Sequence, residues 1–263
     1  DKMYDPEYAG TVDGSLKSVF GVLAAAKLGT QPQARDVRHL RALYQGEVSF
    51  NDAQLARLLD EIERQQLNRS TLFVLTSDHG EEFYEHGFGD HGHSLYEELI
   101  HIPLIMHWPG TIAPAAKNDE LVQLLDLSPT LSALAGAKSA TASGRDFSDA
   151  LRGRSTSSSA SRIFAEEHLD EHNLRAVVVQ QRKLIVDLAQ HRQMSFDLEH
   201  DPGELRPLGE PLEADLTSAL SDFDAVLRSI KESDVQSSRP TQLPESARQA
   251  LEALGYGDAT KHP

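Results

Sequence analysis

The chain has 263 residues, 39% of them hydrophobic, enough to bury a core, and no cysteine, which excludes disulfides and thiolate chemistry within it. Against 25 Lys+Arg stand 41 Asp+Glu, and the net charge of -16 repels nucleic acid and anionic membrane surfaces at long range. No stretch approaches the roughly 18 consecutive apolar residues of a membrane span, and the opening DKMYDPEYAG lacks the basic flank and apolar centre of a secretion signal.

The first forty residues, punctuated by Pro6, Gly10, Gly14, Gly21, Gly29 and Pro32, read as loop and short helix. From Val37 the pattern sharpens, and Leu55, Leu58, Leu59 and Ile62 share one face of a helix running to about Gln66. TLFVLT (71–76) is continuously apolar and β-rich, as suits a strand buried in a parallel sheet, and IPLIMHW (102–108) reads as a second such strand. LVQLLDL (121–127) is expected to be a third. Ser128 then caps a helix with Pro129 at its first position and Gly136 past its end. The Ser/Thr-rich stretch after about residue 150 reads as a surface connection. RIFAEEH, LRAVVVQQ, RKLIVDLA and QMSFDLE follow as an antiparallel meander, and a helix carries Leu212, Leu216, Leu220, Phe223, Leu227 and Ile230 along one stripe. The expected division is an α/β segment over 1–155 and a smaller α+β subdomain over 156–263.

The chemistry is concentrated in TSDHGEEFYEHGFGDHGHSLYEELIHIPLIMHWPG (76–110), which crowds histidines and carboxylates between two apolar runs. Ligands in open α/β sheets collect beyond strand ends, and Asp78 and His79 stand there. A hard carboxylate oxygen beside an imidazole nitrogen makes a metal corner, although an Asp in this place can equally cap a helix starting at Glu81. Gly80 lets the chain turn away from a crowded centre. Glu81, Glu82 and Glu85 read as solvated or supporting groups, His86 as orienting a loop or contacting substrate, and His101 and His107 as structural or surface residues. SFDLEHDPGE offers Asp197, Glu199, Asp201 and Glu204, but their spacing fails the calcium-loop template.

TSDHGE, EHG, SLYEE, the IPLI preceding WPG, GRDFSDALRGR, RKLIVDL, SFDLEHDPGE and the closing LEALGYG stand here in the order in which the sulfatase family of the alkaline phosphatase superfamily presents them. From about Leu40 to the end the sequence resembles the second half of that family. The resemblance implies a sulfatase-like sandwich, a mixed and largely parallel sheet between helices, followed by a smaller C-terminal subdomain with an antiparallel sheet. It implies hydrolysis of a sulfate ester assisted by Ca²⁺, with Asp78 and His79 as metal ligands. Because the Asp-His pair is also similar to the phosphonate and phosphodiester hydrolase branch, Mn²⁺ or Zn²⁺ are alternatives. His91, thirteen residues after Asp78, falls where the family carries a cation that neutralises the sulfate and assists the leaving oxygen, and His93 is the substitute candidate.

The family's nucleophile, a formylglycine made within a C/S-x-P/A-x-R motif, and its first metal carboxylates are expected in an N-terminal half outside this chain. The expected partners are therefore that half and a small sulfated substrate, with no nucleic acid and no membrane span, and family habit places such enzymes in the periplasm or outside the cell. A phosphonate or phosphodiester hydrolase and a non-catalytic sulfatase-like binding module are the competing readings.

Overall fold

The computed structural model describes residues 3–26, 28–113, 120–137, 144–154, 162–168, 173–209 and 214–234. The Ser/Thr-rich connection read across 155–161, Leu212 and the closing LEALGYG lie outside the described residues. The chain divides into two compact units, Asp1–Phe223 and Asp224–Pro263.

Helix α1 (Leu16–Leu23) starts at Ser15, whose hydroxyl accepts the Ser18 N–H, and it buries Val22 and Leu23 against Val12 and Leu40. Helix α2 (Ala34–Arg64) is longer at its N-terminal end than the apolar spacing foretells. It closes with Gln66 at φ +59, the Gln66 N–H on Glu63 O and the Leu67 N–H on Ile62 O, a Schellman ending without glycine. Its first turns bury His39, Leu40 and Ala42. The apolar stripe of its last turns is present but faces outward, with Leu58 50% exposed.

Strands β1 (Phe73–Thr76) and β4 (Leu104–His107) pair antiparallel, Phe73 opposite His107 and Thr76 opposite Leu104. The sequence reads each as a strand of a parallel sheet and leaves open how the two pair with each other; they run antiparallel. A parallel neighbour needs a crossover that carries the chain back to the starting end. Between β1 and β4 lie only the two-residue strands β2 (Glu82–Phe83) and β3 (Gly89–Asp90) and the single turn α3 (Glu97–Ile100), so the chain re-enters from the end it left.

The third strand expected at 121–127 is also corrected: Leu124–Asp126 is a 3-10 turn running into α4 (Leu127–Leu134). Buried Asp126 decides this, accepting the Gln123 and Arg145 N–H groups with its two carboxylate oxygens. That local bonding competes with a β ladder. Gly136, at φ +71, lies just past the helix as the sequence implies. A short α5 (Ser148–Leu151) follows.

Strands β5 (Arg162–Glu167), β6 (Leu174–Val179), β7 (Arg182–Asp187) and β8 (Arg192–Asp197) form the antiparallel meander in sequence order. One face, carrying Leu174, Ala176, Ile185 and Phe196, packs against Leu95, Tyr96 and Ile100 of the strap around α3. On the other, Phe164 stacks at 5.0 Å on Phe223 of α6 (Ala214–Asp234). Each fully buried Val, Leu or Phe contributes about 1.5–3 kcal/mol relative to exposure, so this sheet is a firm backing for the strap.

Candidate metal and ester-hydrolysis site

β1 delivers Ser77, Asp78, His79 and Gly80 to its open end. Two backbone bonds pin the corner: Gly80 N–H donates to Leu99 O at 2.8 Å and Glu81 N–H to Glu98 O at 3.0 Å. The chain passes so close to α3 that a Cβ on Gly80 would sit 1.9 Å from Glu98 O. Glycine is required here by close approach.

The His79 Nδ1 lies 2.7 Å from Gly80 O. A carbonyl only accepts, so Nδ1 carries the proton and the lone pair of the neutral ring is on Nε2. Nε2 stands 3.8 Å from Asp78 Oδ1, and the Asp78 side chain is 72% exposed. One imidazole lone pair and one open carboxylate on the same side fit two ligands of a single divalent cation, with the imidazole held in the liganding tautomer by its own backbone bond.

The hairpin of β2 and β3 carries the next residues. Glu82, fully buried, accepts the His86 and Phe88 N–H groups on Oε1 and the His93 Nε2 at 2.8 Å on Oε2. Burial pushes its carboxyl up, but the bonds from His93 and the two amides outweigh burial and leave it below the usual range. Tyr84 fastens this hairpin to α1 through a 2.5 Å bond to Val22 O, and Arg41 of α2 fastens it by bonds to Glu85 and Phe83 O.

His91 is half exposed, its ring 4.0 Å from that of His79. Its Nδ1 lies 3.1 Å from Asp90 Oδ1 and 3.5 Å from Glu81 Oε2. Burial and the Asp90 charge push the Glu81 carboxyl up against the pull of His91, and Glu81 Oε1 is buried without a partner. The structure thus brings Asp78, His79 and His91 together, while His93 lies buried behind them on Glu82. His86 stacks on Tyr96 at 3.6 Å, with Nδ1 on Glu98 and Nε2 facing Glu204 O. His101 is exposed at the end of α3, and His107 ends β4. Asp197 and Asp201 fold the 197–206 turn, accepting the Glu199, His200 and Arg206 N–H groups.

Two features escaped the sequence reading. Lys183 is fully buried and meets Glu97 at 3.0 Å and Glu204 at 2.9 Å. A lysine at an inward position of the apolar run KLIVD was the available signal. Secondly, the nucleophile pattern is not confined to another half: Ser148-Asp149-Ala150-Leu151-Arg152 and Ser158-Ser159-Ala160-Ser161-Arg162 satisfy its letter. Ser148 is buried at 3% exposure on α5, and Arg152 donates to its hydroxyl, so it offers no accessible nucleophile. The second run starts outside the described residues.

The fold matches solved chains of the alkaline phosphatase-like α/β class. A 2-O GAG sulfatase superposes with a TM-score of 0.65 at 24% identity over 88% of this chain and 50% of its own, and the phosphonate monoester hydrolase of Silicibacter pomeroyi with 0.62 at 21% over 84% and 47%. In sequence, residues 7–137 match the family described as sulfatase, and residues 84–227 match N-sulphoglucosamine sulphohydrolase, C-terminal. The chain belongs to the sulfatase family, and corresponds to its C-terminal portion. Arylsulfatase K of Mus musculus is 30% identical over 181 residues, 65% of this chain and 32% of that protein. The chain spans about a third of that relative and about half of each solved chain.

Proposed function

We propose that the chain contributes part of the centre of a sulfuric ester hydrolase, with Asp78 and His79 as two ligands of a divalent cation and His91 as the group beside the leaving oxygen. The observation that carries this reading is the bond from His79 Nδ1 to Gly80 O, which leaves Nε2 free 3.8 Å from the open Asp78 carboxylate and beside the His91 ring. Ca²⁺ is the family's ion, with Mn²⁺ or Zn²⁺ as alternatives for an oxygen-nitrogen pair. When bound, the cation supplies Lewis-acid polarisation of the sulfate oxygens.

Two ligands are too few for a tight site, so further carboxylates come from polypeptide outside this chain, and we assign the formylglycine nucleophile to that polypeptide in preference to buried Ser148. Within it, His91 has Nδ1 facing Asp90 and Glu81, which orients the ring so that, as the imidazolium, it would give its Nε2 proton to the departing alkoxide as the nucleophile bonds to sulfur and the S–O bond breaks. His93, through Glu82, shapes the loop on which His91 rides. The substrate class is a small sulfated alcohol or sugar, and the site of action is the periplasm or the cell exterior. The 1–155 and 156–263 division is retained as a functional one, the first part carrying the chemistry and the second backing it.

The test is hydrolysis of an aryl sulfate, with an aryl phosphate and a phosphonate ester alongside, by the polypeptide carrying this chain together with the nucleophile. Sulfate hydrolysis that is lost with a chelator, regained with Ca²⁺ or Mn²⁺ and abolished in Asp78→Asn is expected. Faster turnover of the phosphate or phosphonate, or a fully active Asp78→Asn, contradicts it.

A further inference from the structure

Lys183 lies on the β7 face that also carries Ile185, in register with Val178 of β6 and Phe196 of β8, and none of its side chain reaches solvent. An ammonium withdrawn from water must find opposite charge. It finds Glu97 Oε1 at 3.0 Å and Glu204 Oε1 at 2.9 Å. Glu204 is itself fully buried, in the left-handed region at φ +51, and its other oxygen accepts the Glu97 N–H at 2.6 Å. One lysine thus gathers three segments: β7, the turn after β8, and the first residue of α3.

What α3 does next gives this triad its consequence. Its Glu98 and Leu99 carbonyls receive the Glu81 and Gly80 N–H groups, the two residues that follow Asp78-His79, and its Glu98 carboxylate holds His86. From Lys183 to the corner there is therefore an unbroken path: ammonium, Glu97, the α3 carbonyls, the Gly80 and Glu81 amides, His79. An apolar side chain could fill the same volume, and buried ion pairs stabilise no better than such a filling. What an apolar residue cannot do is fix where α3 sits relative to the sheet.

We propose that Lys183, with Glu204, is a positioning residue: the C-terminal sheet sets the Asp78–His79 corner through this buried triad. The proposal rests on the metal reading above, and its test keeps the two separable. In Lys183→Met and Lys183→Met/Glu204→Gln, three quantities are read on the polypeptide used for the activity assay: the melting temperature, the Mn²⁺ dissociation constant, and the hydrogen exchange of the Gly80 and Glu81 amides. Both variants are expected to raise the Mn²⁺ dissociation constant about 10–100-fold, as loss of groups that orient metal ligands does, and to exchange the two amides at least about tenfold faster. The double variant, with no unpaired buried charge, is expected to recover the melting temperature without recovering either. Should Lys183→Met fail to fold, the double variant carries the test.

A double variant that regains stability, amide protection and Mn²⁺ affinity together makes Lys183 merely structural and overturns the proposal. So does unchanged amide exchange in either folded variant. If the unsubstituted protein binds no cation sensitive to Asp78→Asn, the metal reading falls, and the amide exchange still decides the positioning role.

Discussion

His91 and His93 are two residues apart in sequence and in opposite surroundings in space. His91 is half exposed against the His79 ring, and His93 is 4% exposed on a fully buried Glu82. Replacing His91 by Ala should change stability by no more than about 0.5 kcal/mol, as exposed substitutions do, and lower turnover about 10²–10⁴-fold as loss of a general acid does. Replacing His93 by Ala should cost about 1–3 kcal/mol, because it strips a buried carboxylate of its partner. Thermal denaturation and turnover measured on both variants separate the two roles, and equal effects would not fit the geometry. Glu82 adds a pH dependence. Its folded carboxyl lies below the ordinary 4.5 of the unfolded chain, so its stabilisation is present above that value and lost as pH falls through the lowered one. Glu82→Gln should therefore flatten the acid side of the stability profile below about pH 5 in acid-denaturation measurements. The crowding of histidines was legible in the sequence. The division of labour was not, because both histidines lie in the turn after β3, where no regular alternation says which side the rest of the molecule covers.

At the scale of elements, the C-terminal limit of α2, the apolar runs of β1 and β4, and the order of the four-stranded meander were readable from spacing, while the N-terminal start of α2 was not. Strand direction was not: an apolar run suits either pairing, and the choice falls to the length and content of the connection. Residues 121–127 failed for a related reason, since their apolar pattern is outvoted by the backbone bonds of Asp126. Lys183 was missed because a strand pattern assigns burial by position, and only the fold supplies the two carboxylates that make a buried ammonium tolerable. The contact of β1's end with α3 offers a sharp test of the element arrangement. Gly80→Ala places a Cβ on the Glu98 carbonyl, so either α3 or the corner must move. The expected result is a loss of about 1–3 kcal/mol, in the range of overpacked sites, with weakened cation binding. An alanine variant with wild-type stability and affinity would show that the strap is looser than described.

Across the whole molecule the proposed chemistry stands at the junction between the strand end and the strap, with the buried meander behind them. The exposed apolar side chains Val48, Leu58, Leu59 and Ile105 lie on α2 and β4. Exposed apolar surface of this kind fits a packing face, which agrees with the proposal that further polypeptide completes the site. Net charge of -16 counters self-association meanwhile, and it concentrates no anion by itself, so a sulfate ester needs a local cation to be held. The most direct measurement is anomalous diffraction from crystals of the protein grown with Mn²⁺. A peak about 2.0–2.6 Å from both an Asp78 carboxylate oxygen and His79 Nε2 is expected. A peak held instead by Glu81, Asp90 and His91, or a His79 ring turned so that Nε2 faces away from Asp78, would contradict it.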